Sequence, residues 1–169
     1  MTKESRTLLL NEKQVDQKID RLAYQVYEDN SSETEIVLAG IMRSGYQVAE
    51  RISSALSRIS PIMVTLAEVH IDKHGLVDAA IKISIPEQQI SKKVVILIDD
   101  VMNSGRTMMY GLKPFLSADI KKIRTVVLID RNHKRFPVSA DFTGLSLSTT
   151  LQEHISVEFS GTNAQVWLS

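Results

Sequence analysis

Apolar residues near the start of the chain recur at helical spacing. Val15, Ile19, Leu22, Ala23 and Val26 stand at offsets of four, seven, eight and eleven, the stripe of an amphipathic helix over Lys13 to Asn30. The pattern then changes. Glu35 to Ala39 (EIVLA) is a short apolar run ending at Gly40, and helical spacing resumes over Tyr46 to Leu56 with Val48, Ala49, Ile52 and Leu56, which predicts a strand, a loop and a helix. The stretch from Met63 (MVTLAEVHI) is rich in β-formers, Lys73-His74-Gly75 reads as a break, and Ala80 to Ile85 is a second short strand candidate that pairs with the first as a hairpin.

Two later runs differ from these. VVILI from Val94 and TVVLI from Thr125 are continuous and β-branched, the pattern of strands covered on both faces in a parallel sheet. The span Arg106 to Leu116 between them reads as a helix that Pro114 bends or ends. Beyond Arg131 the chain is rich in Ser, Thr and Gly, with short strands predicted at Ser156 to Phe159 and Gln165 to Leu168. Strands alternating with helices imply an open, mainly parallel, doubly wound α/β sheet, in which ligands bind at the carboxyl ends of the strands. No repeat or linker divides the 169 residues, so one domain is expected over residues 1–169.

Composition narrows the chemistry. Twenty basic residues balance twenty acidic ones, so no overall positive field draws the chain to nucleic acid. The absence of cysteine removes disulfides, zinc thiolates and a cysteine nucleophile. The three leucines near the N-terminus are too short a run for a signal peptide, and no stretch reaches membrane-spanning length, so a cytoplasmic location is expected, with no membrane partner.

The chemistry concentrates where VVILI ends. Asp99 and Asp100 follow it directly, and neighbours in an extended chain point opposite ways, so at least one carboxylate faces the crevice. Asn103-Ser104-Gly105-Arg106-Thr107 then opens a helix, where backbone N–H groups and the helix dipole favour a phosphate. Acids beside a phosphate seat repel the ligand unless they hold hydroxyls or a metal, so the pair suggests a sugar phosphate with magnesium. The same residues also read as a strand stopping at a helix capped by Ser104 or Thr107, with solvated aspartates. No GxxxxGK[ST] or GxGxxG occurs, which excludes a Walker loop and leaves a dinucleotide fold without support.

VVILIDDVMNSGRT resembles the phosphoribosyl diphosphate (PRPP) signature of type I phosphoribosyltransferases. Ala39 to Gly45, Thr65 to Ile71 and Val126 to Gly144 are similar, in order and spacing, to the PyrR family of bacterial uracil phosphoribosyltransferases that also regulate pyrimidine genes by binding messenger RNA. The resemblance implies the type I phosphoribosyltransferase fold with a small hood region, and transfer of phosphoribosyl from PRPP to a nucleobase with magnesium. It also implies that Asp99 and Asp100 hold the ribose hydroxyls and contact the metal mainly through PRPP, while Asn103, Ser104, Gly105, Arg106 and Thr107 hold the 5-phosphate. Arg43, Ser44 and Gly45 would contact pyrophosphate, Lys73 would join them from a lid, and Asp130, Arg131 and His133 would lie over the base. A homodimer or higher homo-oligomer is implied as well.

The chain departs from the family in three places. PyrR relatives usually carry the arginine of the pyrophosphate loop immediately before its last glycine, where Ser44 stands here, and Arg43 also reads as a solvated arginine at a helix start. Phosphoribosyltransferases for 6-oxopurines usually place an aspartate four residues after the first acid, where this chain has Asn103, so uracil is favoured over a purine. RNA-binding relatives usually carry lysines in the segment matching Leu145 to His154 and a histidine near Tyr24. Here LSLSTTLQEH has neither lysine nor arginine, so RNA binding is expected to be lost or much reduced.

Overall fold

In the computed structural model, which describes residues 6–72 and 80–169, alternation along the central strands decides which helix covers which face. The elements run β1 (Thr7–Leu10), α1 (Glu12–Asp29), β2 (Glu35–Ile41), α2 (Met42–Ile59), β3 (Met63–His70), β4 (Lys82–Ile83), β5 (Val94–Met102), α3 (Arg106–Leu116), β6 (Lys122–Asp130), β7 (Phe142–Ser146), β8 (Ile155–Ser160) and β9 (Asn163–Leu168). Ile36, Leu38, Val94, Ile96, Ile98, Val126 and Leu128 pack with the apolar stripes of α1 and α2. Their strand neighbours Val37, Ala39, Val95, Leu97 and Val127 pack on the other face with Met108 and Phe115 of α3. Period-two side-chain direction thus turns the uninterrupted apolar runs into two cores.

The main sheet has the order β4-β3-β2-β5-β6-β7. It is parallel except for β4, which pairs antiparallel with β3. From β2 the chain crosses through α2 to β3 on one side, and from β5 it crosses through α3 to β6 on the other. The order therefore reverses between β2 and β5, the place where an open α/β sheet leaves a crevice at its carboxyl edge. A second, antiparallel sheet, β1-β9-β8, shares the α1–α2 core through Leu10, Ile155, Ala164 and Val166 and forms the hood.

Local chemistry sets the boundaries. α1 begins one residue before the expected Lys13 because Asn11 and Gln14 form a capping box, each side chain accepting the other's backbone N–H at 2.9 Å. α2 begins at Met42, so the expected loop before Tyr46 is mostly helix. The chain makes that turn with Met42 at φ +52°, a left-handed conformation that costs a side-chain-bearing residue about 1–3 kcal/mol. Pro114 falls in the last turn of α3 and does not interrupt it. The hairpin partner of β3 is only two residues long, and β1 and β7 were not expected. Among the described residues no helix is long and apolar enough to cross a membrane.

One polar cluster fastens α1 to the sheet. Asp29, the last residue of α1, accepts from Lys122 Nζ at 2.9 Å and Arg124 Nε at 3.0 Å, and Lys122 also donates to the Asp29 carbonyl, where the helix dipole favours a cation. The Arg124 hydrogen bond holds the Asp29 carboxyl below its ordinary value against the opposing effect of burial, and Lys122 adds to the lowering. A depressed folded-state value gives stability that is present above the unfolded-state carboxylate range and is lost as pH falls through the folded one. Asp29→Asn should therefore cost up to about 1 kcal/mol at neutral pH, shrinking below about pH 4. Urea denaturation at several pH values checks this.

Candidate active site

β5 outlasts its neighbour β2. Pairing of the two ends at Gly40 with Ile98, whereas β5 stays paired with β6 as far as Met102 with Asp130. Beyond Ile98 the edge once facing β2 opens, because β2 has turned into α2. Asp99 and Asp100 occupy that overhang. Asp99 is 8% exposed and its Oδ1 accepts the backbone N–H of Asp100 at 2.9 Å; Asp100 is half-buried. Gly45, in the first turn of α2, passes so close that a Cβ there would sit 2.7 Å from the Ile98 carbonyl and 3.3 Å from Asp99 Oδ1. Any larger residue would push the two elements apart.

The loop after β5 is shaped for an anion. Gly105 is the N-cap of α3 at φ +84°, a conformation glycine adopts without strain, and no side chain caps the helix. Neither Ser104 nor Thr107 is the cap, although the Ser104 hydroxyl accepts the Arg106 N–H at 3.3 Å, and the first-turn residues Arg106 and Thr107 line a cavity. The loop is braced from below: the Ser104 carbonyl accepts from the N–H groups of Arg135 and Phe136, and a Cβ on Gly105 would meet Val138 Cγ1 at 2.8 Å. A cavity of about 180 Å³ is lined by Asp99, Asn103, Ser104, Gly105, Arg106 and Thr107, among others.

A second cavity of about 360 Å³ shares Asp99, Asn103 and Thr107 with the first and extends over Asp100, Met42 and Ser44. Its far wall is His154 to Val157, at the start of β8. This wall has no signature along the chain, because a Ser- and Thr-rich stretch leading into a short strand has no pattern that says which cleft it borders. The structure thus gathers the acid pair, residues 103–107 and Ser44 around one cleft. Arg43 lies in the same turn and is exposed, while its neighbours Met42 and Ser44 line the cavity. Lys73 lies outside the described residues.

The end of β6 is arranged differently. Asp130 is 6% exposed and its Oδ1 accepts the N–H of Asn132 at 2.9 Å. Arg131, also buried, donates to Asn103 Oδ1 at 2.7 Å, Thr149 Oγ1 at 2.9 Å, and the carbonyls of Thr150 and Glu153 at 3.2 and 2.6 Å. His133 Nε2 lies 2.5 Å from the Thr149 carbonyl, which can only accept, so that nitrogen carries the proton. The Thr150 N–H holds the Glu153 carboxyl below its ordinary value, with the Arg131 charge adding to the effect. Asp130, Arg131 and His133 stand behind the cleft and fix the irregular segment leading to His154; none of the three lines either cavity.

A buried and a half-buried carboxylate beside an uncapped helix start can hold a hydroxyl-bearing phosphate. Among the described residues no three His, Asp or Glu side chains converge as a metal cage. The acid pair instead fits magnesium in its usual manner, with one or two carboxylates and the remaining ligands from phosphates and water.

Residues 5–160 match the model of the phosphoribosyl transferase domain. The bifunctional protein PyrR of Clostridium kluyveri is 36% identical over 162 residues, covering 92% of this chain and 91% of that protein. PyrR of Fusobacterium nucleatum is 35% identical over 158 residues, 89% of each. Among solved structures, the hypoxanthine phosphoribosyltransferase of Trypanosoma cruzi superposes with a TM-score of 0.76 at 16% identity, covering 95% of both chains. A hypoxanthine-guanine phosphoribosyltransferase from Bacillus anthracis does so with a TM-score of 0.70 at 23% identity, over 83% of this chain and 81% of that one. These two likenesses are of fold. With the family model spanning most of the chain and the PyrR relatives covering nine-tenths of it, this chain belongs to the type I phosphoribosyltransferase family and groups with the PyrR proteins.

Proposed function

We propose that the chain transfers the phosphoribosyl group of PRPP to uracil, forming uridine 5'-monophosphate and pyrophosphate. The observation that carries this reading is the acid pair on the overhang of β5, immediately before a helix start that has Gly105 as its N-cap and no side-chain cap from that residue. In this assignment residues 103–107 seat the 5-phosphate and Asp99 and Asp100 hold the ribose hydroxyls. Ser44 and Gly45, with Arg43 and Lys73, serve the pyrophosphate side. Bound magnesium would neutralise charge on the diphosphate.

Each residue then has a definite task. A base nitrogen attacks the anomeric carbon as its bond to the pyrophosphate oxygen breaks, and the N–H proton of the base passes to solvent. Positive charge builds on the ribose ring meanwhile. The carboxylates of Asp99 and Asp100, held on a rigid strand, lie on the side where that charge develops, and the fixed seat for the 5-phosphate limits the ring to one orientation. No covalent nucleophile is needed.

Uracil is favoured by Asn103, which offers an amide where 6-oxopurine enzymes usually carry an aspartate, and by the PyrR relatives. A purine substrate is the alternative of the same class. PRPP-dependent nucleotide formation with a panel of bases should show uracil preferred, and incorporation of guanine but not uracil would reverse the choice. The Asp99→Asn, Asp100→Asn double variant should lose at least about a hundredfold in kcat/KM, the scale of removing a preorganised electrostatic contact. Full activity in it would remove the site assignment.

A regulatory role on RNA is the second reading, drawn from the PyrR relatives. Segment 145–154 argues against it: it has no lysine or arginine, and its carbonyls at Thr149, Thr150 and Glu153 are turned inward to Arg131 and His133. RNA affinity comes largely from cations on phosphate. Gel-shift titration with a pyrimidine-operon leader RNA should show no specific complex at submicromolar protein. A salt-dependent, sequence-specific shift would restore the regulatory reading.

A further inference from the structure

Asn103 belongs to the phosphate loop, lines both cavities, and has one end of its amide already committed. Its partner is Arg131, whose guanidinium carries only donors, so the atom 2.7 Å from Arg131 is fixed as Oδ1. In most asparagines the choice between oxygen and nitrogen is open. Here the chemistry of the partner settles it, and the group left for a ligand is Nδ2–H₂.

Arg131 is itself held. It is 7% exposed, and its remaining hydrogen bonds go to Thr149 Oγ1 and to the carbonyls of Thr150 and Glu153, so it has little freedom to release Asn103 and turn elsewhere. A buried guanidinium tied to several acceptors is costly to move, because each bond lost leaves a polar atom without a partner.

We propose that Arg131 is a positioning residue: by holding Oδ1 of Asn103 it makes the phosphate loop present a hydrogen-bond donor to the incoming base, and so selects a base that offers a carbonyl oxygen there. This rests on the phosphoribosyl transfer reading and deepens it. The side chain at residue 103 then works through its orientation as well as its identity. Asn103→Asp keeps an oxygen toward Arg131 yet replaces the donor with a second acceptor, and Arg131→Gln removes the clamp.

The test needs no turnover. Calorimetry measures the dissociation constants of ribose 5-phosphate and of uridine 5'-monophosphate, and their ratio reads the contribution of the base alone. The unsubstituted protein should bind the nucleotide more tightly. In Asn103→Asp and in Arg131→Gln the ratio should fall by about fivefold to tenfold, the worth of one directed hydrogen bond, and in Arg131→Gln, whose side chain lies outside the phosphate seat, ribose 5-phosphate binding should stay within about twofold. An unchanged ratio in Asn103→Asp would overturn the proposal. So would a ratio of one in the unsubstituted protein, or parallel weakening of both ligands, which would mark a purely structural brace. Thermal unfolding shows whether Arg131→Gln is folded, and Asn103→Asp carries the test if it is not. Failure to turn over uracil with the ratio pattern intact would instead remove the uracil transfer reading and leave this one in place.

Discussion

The site depends on a mismatch in strand length. β5 is hydrogen-bonded on both sides through its apolar stretch, then continues to Met102 beside β6 after β2 has turned away at Ile41. That one-sided overhang lets a buried strand end in two carboxylates without burying both. It lies where the crossovers diverge, α2 on one face and α3 on the other, so the crevice comes from the winding of the chain. Gly45 and Gly105 are the concessions to it: one lets α2 pass against Asp99, the other lets the chain swing from strand into helix.

Much of this was legible in the order of residues. The two-core packing follows from VVILI and TVVLI, whose unbroken apolar character requires cover on both faces. The turn from β5 into α3 was legible because Asn103 to Thr107 combines small residues, a glycine and a following helical span. Periodicity misplaced the start of α2, since the left-handed turn at Met42 is imposed by its surroundings and no local propensity announces it. β7 was missed because its cover comes from tertiary packing against β6 and α1, and the wall His154 to Val157 because its neighbours are long-range.

Arg131 shows what sequence reading leaves out. Its position in the motif DRNH suggested direct contact with a base, and in the folded chain its guanidinium is spent on protein oxygens. The strand end thus links the phosphate loop to the irregular segment that carries His154. The amide at residue 103, where 6-oxopurine enzymes usually carry an aspartate, and segment 145–154, which has no lysine or arginine, meet at this one arginine.

On the reading proposed above, the start of α3 is a phosphate seat completed by the acids of β5. Backbone amide chemical shifts during titration with ribose 5-phosphate test it most directly. A phosphate bound there gives saturable shifts concentrated at Ser104, Gly105, Arg106 and Thr107, with smaller ones at Asp99 and Asp100. Shifts centred instead on the separate groove of Asp16, Asp20, Arg51 and Arg58, with residues 104–107 unmoved, would contradict it.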